Sequence, residues 1–221
     1  MNRRILPPAA TALAATAALV LTACSSNDAK SQSSDKIAGA NQNSGSSATP
    51  RALASASAPS TDRPKIELPS DLSYTFDWPK NGDTAQSAVL SDAEQFIKAI
   101  DYAIVKQDPL QEAYRFYSEG ELAASTQAYV QEYVKAKSRV TGSSRYYNAT
   151  PLVSDHGTAS LSYCQDQSKA YDMAILTGKV DKTPATKNSY VLYNTALRKN
   201  DRGIWITTKM LSTRGSSKCQ P

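Results

Sequence analysis

The chain is poor in the residues from which most catalytic and metal centres are built. It has one histidine and three cysteines in 221 residues. A single histidine excludes zinc sites made from His clusters and leaves no second imidazole for an acid–base pair. That histidine, His156, lies in Asp155-His156-Gly157, which reads as a turn, so it is expected at a loop tip and outside any reaction centre. There is no Gly-rich phosphate loop, no Gly-x-Ser-x-Gly elbow and no carboxylate pair in a supporting context. No cofactor and no metal are expected. The net charge is only +5 and its lysines and arginines are dispersed. A nucleic-acid partner calls for a basic stripe with stacking aromatics, so that class is excluded. Phenylalanine is scarce as well, three against twelve tyrosines.

What is present begins with an address. Met1-Asn2-Arg3-Arg4 is a short basic segment, and Ile5 to Leu21 is almost wholly apolar apart from Pro7-Pro8. Leu21-Thr22-Ala23-Cys24 follows, two small residues before a cysteine, which reads as the cleavage and lipidation site of a bacterial lipoprotein. Residues 1–23 are then a signal peptide, and Cys24 carries the acyl chains that hold the protein at the extracellular face of the cell membrane. Arg3-Arg4 leaves the export route open between the general and the twin-arginine pathway. Residues 24–66 are rich in Ser, Ala, Asn, Gln and Gly and lack apolar periodicity. They read as a disordered tether, dispensable for folding.

Residues 67–221 are one domain by size. Leu72 to Phe76 is an extended lead-in. From Ala85 to Ile104 apolar residues recur at three- and four-residue steps, predicting a helix capped by Asp83 or Thr84, with Asp92, Glu94, Lys98 and Asp101 on its polar side. Asp108-Pro109 predicts the start of a second, short helix. A third runs from about Glu119 to Lys137. After Thr141-Gly142 the pattern changes to strands: Ser144 to Val153, with Pro151 at an edge or bulge; Ala159 to Cys164; Tyr171 to Ile175; Tyr190 to Arg198; and Ile204 to Leu211 after the Asn200–Gly203 hairpin turn. On this last strand Ile204 and Ile206 take one face and Trp205 the other, with lysines and threonines toward solvent. Helices followed by strands give an α+β class, with the helices on one face of a mostly antiparallel sheet.

Candidate sites follow from this layout. With Cys24 assigned to lipid, Cys164 and Cys219 remain as a pair in an oxidising compartment and are expected to form a disulfide. The competing reading of Cys164 as a nucleophile lacks a supporting histidine. Asp166 follows an amphipathic strand and reads either as a residue at a pocket mouth or as part of a turn with Gln167-Ser168. Tyrosines, among them Tyr102, Tyr133 and Tyr163, have an apolar body and a hydrogen-bonding tip. They suit ordinary helix–sheet packing or, alternatively, the lining of a polar-rimmed cavity.

The element order and several residues resemble secreted actinobacterial lipoproteins with a nuclear-transport-factor-2-like domain. The resemblance rests on the helix from Asp83 to Lys106, Asp108-Pro109, Thr141-Gly142, Cys164-Gln165-Asp166, Asp201-Arg202-Gly203-Ile204-Trp205 and the late Cys219. It implies a cone of curved sheet and helices, often with an internal pocket. Many enzymes of that fold use a His/Asp pair in the pocket, which this chain cannot supply. The expected function is therefore a non-enzymatic, membrane-tethered module that binds a small molecule or an envelope protein. The alternative is a cavity enzyme of isomerase or hydrolase type using Asp166 and tyrosines.

Overall fold

The computed structural model describes residues 63–80 and 83–221. The expected signal peptide, Cys24 and most of the expected tether lie outside the described residues. The element order is β1 (Leu72–Asp77), α1 (Thr84–Lys106), α2 (Glu112–Phe116), α3 (Gly120–Ala136), β2 (Ser138–Val153), β3 (Thr158–Ala174), β4 (Val180–Asp181), β5 (Tyr190–Lys199) and β6 (Trp205–Arg214). The sheet runs β1-β2-β3-β5-β6, with β4 paired to β3. The expected lead-in is a strand of this sheet and pairs parallel with β2. The other pairings are antiparallel. Bulges interrupt the β2–β3 and β5–β6 ladders and bend the sheet.

Local chemistry explains where the elements begin and end. Asp83 accepts a 2.7 Å bond from the Gln86 amide and starts α1, and Gln107 in the left-handed region ends it. The second helix begins later than expected. The Asp108 carboxylate accepts from the Leu110 amide at 2.9 Å in a local turn, and Gln111 becomes the cap of α2. The third helix keeps its expected span.

Two strand boundaries differ from the sequence reading. β2 starts at Ser138 and passes through Gly142, which marks a crowded point inside the strand. There φ is +93°, and a Cβ would lie 2.1 Å from the Lys169 carbonyl oxygen. The segments expected as two strands, one ending at Cys164 and one starting at Tyr171, form the single strand β3. The Asp166-Gln167-Ser168 turn signal is spent on a bulge within it, where the Asp166 carboxylate accepts from the Ser168 amide at 2.8 Å. Pro151 lies beyond Tyr147, where β1 stops, so its side of β2 is a free edge.

α1 packs in two directions. Phe96, Ala99, Ala103 and Ile104 meet α2, α3, Ile204 and Ile206 in one core. Val89, Leu90, Ala93 and Ile97 meet Trp78, Tyr146, Leu161, Tyr163 and Trp205 in another. Ile204 and Ile206 thus separate from Trp205, as the alternation predicts. Thr207, expected toward solvent, is buried because its amide bonds the Tyr117 carbonyl at 2.9 Å.

Asp92 corrects two expectations together. It is 1 % exposed, although it reads as part of the polar side of α1. Its carboxylate accepts from the Trp205 amide at 2.8 Å and pairs with Arg63. Arg63 also reaches the Tyr117 hydroxyl at 3.4 Å. The domain therefore includes Arg63, upstream of the expected boundary at residue 66, and Ile66 packs on the first core.

Candidate functional site

The curved sheet brings tyrosines from four of its strands toward one carboxylate. Inward alternation places Tyr74 on β1, Tyr146 on β2, Tyr163 and Gln165 on β3, and Tyr193 on β5. Across from them α1 supplies Asp101, and α3 supplies Tyr129 and Tyr133. Tyr146 and Tyr163 are 4 % and 3 % exposed and form the floor. Tyr74, Asp101, Gln165 and Tyr193 are half-buried and form a polar rim.

The rings make a continuous layer. Tyr163 stacks on Tyr193 at 5.1 Å between centroids, and Phe76 stacks on Tyr146 at 4.8 Å. Tyr146 stands 6.1 Å from both Tyr74 and Tyr163. The polar tips are joined in three sets of hydrogen bonds. The Tyr74 hydroxyl donates to Asp101 Oδ2 at 2.6 Å. Gln165 Nε2 donates to the Tyr146 hydroxyl at 3.0 Å, and its Oε1 accepts from the Tyr193 hydroxyl at 3.1 Å. At the border Tyr129 donates to Tyr133 at 3.3 Å, and Tyr133 donates to Asp172 Oδ1 at 3.2 Å.

Burial sets the protonation states. Part of the Asp101 residue reaches solvent, but its carboxyl group is crowded by protein. Desolvation pushes it up to about 6, opposed by the Tyr74 hydrogen bond. Desolvation likewise raises Tyr74, Tyr146 and Tyr163, with the Asp101 charge adding to the effect on Tyr74 and Tyr146. Tyr193 is pushed up to about 12, again mainly by burial. At neutral pH the group is thus a set of protonated phenols around one largely ionised carboxylate. Such an arrangement can bind an organic molecule, and it can also accept or return a proton through Asp101.

The structure sorts the candidates read from the sequence. Tyr163 is in the group and Tyr133 is at its border. Tyr102 lies elsewhere, packed on the first core with Lys106 Nζ 5.4 Å from its ring centroid. Asp166 is one residue past Gln165 and so points to the opposite face of the sheet, opposite Arg145. It is not brought together with the tyrosines, because strand alternation separates it from Tyr163. On that same outer face Cys164 bonds Cys219, with Cα atoms 5.5 Å apart. Both sulfurs are buried, at 2 % and 0 % residue exposure. His156 is exposed at the tip of the β2–β3 hairpin. Among the described residues no three His, Cys, Asp or Glu side chains are grouped to hold a metal, and no helix is long and apolar enough to cross a membrane.

Asp101 reads as part of the polar side of α1, yet it is four residues past Ile97 and three before Ile104, on the line of the apolar stripe. That spacing is the signal for it. Nothing in the sequence pairs it with Tyr74, which depends on the parallel β1–β2 register.

No protein-family model matches the chain, and no curated protein matches it. Among solved structures it is similar to a ketosteroid isomerase-like protein from Erwinia carotovora atroseptica. The identity is 14 %, 61 % of this chain and 99 % of that one are covered, and the TM-score is 0.43. It is also similar to the intermembrane space region of the chloroplast protein ARC6, at 12 % identity, with 62 % of this chain and 99 % of that one covered and a TM-score of 0.35. Helices laid on one face of a curved mixed sheet make the domain an α+β domain.

Proposed function

We propose that this domain is a non-enzymatic, membrane-tethered extracellular module that takes a small organic molecule in the tyrosine-lined interior of its sheet. The observation that carries the reading is the convergence of Tyr74, Asp101, Tyr146, Gln165 and Tyr193 from four strands and a helix. Polar ends gathered on the concave side favour a small ligand over an envelope protein, which would need them displayed outward. The membrane attachment rests on the sequence alone: the signal peptide of residues 1–23, the lipid on Cys24 and the tether of residues 24–66. Native mass spectrometry of the full chain isolated from its own membranes tests the reading. A bound small molecule is expected, released on denaturation and lost when Gln165→Leu removes the central amide. Protein that carries none, and whose melting temperature no small organic compound raises, would refute it.

A second reading has its own observation. A carboxyl group raised to about 6 beside a 2.6 Å tyrosine hydroxyl is poised to take a proton. In this enzyme alternative Asp101 replaces Asp166 as the acid–base group. It predicts turnover of an enolisable ligand that Asp101→Asn abolishes without weakening its binding.

A further inference from the structure

Asp101 differs from Asp92, the buried carboxylate of the same helix, and even from more exposed carboxylates of the domain, in having no cation among the described residues. Asp92 is paired with Arg63, Asp71 with Arg139, and Glu119 with Arg198. Asp101 has a tyrosine hydroxyl and no ion pair among the described residues. The nearest lysine along α1, Lys98, is one turn away and already engaged. Its ammonium bonds Glu94 at 2.5 Å and lies 5.3 Å from the Phe76 ring centroid. A crowded carboxylate without a cation is a costly arrangement, and proteins resolve it by neutralisation or by pairing. The neighbours of Asp101 are suited to a positive guest. Tyr74, whose hydroxyl bonds Asp101, is half-buried, and tyrosine faces attract cations, more strongly when desolvated.

On the reading that this interior is a small-molecule site, we propose that its ligand is an organic cation, an amine whose ammonium group pairs with the Asp101 carboxylate while its apolar body lies on the tyrosine rings. The ammonium N–H donates to the carboxylate oxygen that the Tyr74 hydroxyl leaves free. The rim amide of Gln165 and the Tyr193 hydroxyl are committed to each other and select shape more than charge. An anionic ligand is disfavoured by Asp101, and a neutral one leaves the carboxylate without a counter-charge.

Three probes of nearly one shape test this: benzylamine, benzyl alcohol and benzoate. Titration calorimetry on the full chain at pH 7.5 should show benzylammonium binding about tenfold or more tighter than the alcohol, with benzoate weakest. Asp101→Asn should erase the preference and leave the alcohol's affinity in place, while Tyr102→Phe, outside the group, should change nothing. If the alcohol binds as well as the amine, the cation inference falls and the small-molecule reading stands. If none of the three binds, both fall. A preference that survives Asp101→Asn would also overturn the assignment. The comparison of the three probes on the unmodified protein decides the matter even if the variant does not fold.

Discussion

Replacing Asp101 with Asn should make the protein more stable at neutral pH. The carboxyl group is raised from 3.8 to about 6 in the folded domain. Between those values the folded protein keeps a proton that the unfolded chain has lost, so stability falls as pH rises through the window. Each pH unit of that gap is worth about 1.4 kcal/mol, so the ionised group costs at most about 3 kcal/mol above pH 6 and nothing below pH 4. The residue is partly exposed and an Asn makes a weaker bond to Tyr74, so about 1–3 kcal/mol is the working range. For a domain of this size that is a rise of roughly 3–10 °C in Tm. Denaturant unfolding of wild type and variant at pH 4, 5, 6 and 7.5 measures it. The variant's advantage should be absent at pH 4 and grow to its full size by pH 7.5. A variant less stable than wild type at pH 7.5, or a gap independent of pH, would show that the carboxylate is not destabilised by its surroundings. A group that weakens the fold and persists is expected where binding or chemistry uses it.

Arg63→Ala, or a chain begun at Glu67, strands the Asp92 carboxylate; breaking a buried pair costs roughly 3–5 kcal/mol, and the 42 % exposure of Arg63 points to the low end, readable by calorimetry. Gly142→Ala should cost more than about 2 kcal/mol or abolish folding, since strain at positive φ adds to the clash with the Lys169 carbonyl; an unchanged unfolding midpoint would contradict the close approach. Reducing the Cys164–Cys219 bond, which spans 55 residues, should lower stability by up to about 4 kcal/mol, and an alkylatable Cys164 in the purified, unreduced protein would refute the pairing. Cys24→Ser should release the protein from membranes or stall its processing; a processed form that still sediments with membranes would sink the lipid assignment.

The sequence carried the fold further than the site. The apolar steps of α1, the Asn200 turn and the alternation around Tyr163 are local patterns, and they survive in the structure. β1 was legible as extended but not as part of the sheet, because its partner is some seventy residues on and parallel. Asp166 was misplaced for a different reason. A turn signal and a bulge signal use the same residues, and a strand continued through the bulge sends Asp166 away from the tyrosines. The polar side of α1 misled most. A helix buried in two directions has little polar side, so Asp92 and Asp101 both turn inward, one to an arginine and one to a tyrosine.

The Cys164–Cys219 bond also decides how the domain bears load. Stretched between its two ends, a chain normally lengthens by every residue it contains. Here force arriving at the C-terminal tail crosses the sulfurs to the middle of β3, so the 55-residue span holding β4, β5 and β6 stays slack. The load falls instead on the helices, on the six-residue parallel ladder of β1 and β2, and on the salt bridge of Arg63 with Asp92. Pulled between Arg63 and the C-terminal tail, the domain would thus yield first at its N-terminal end. The strands that carry Tyr163 and Tyr193 remain laced together longest.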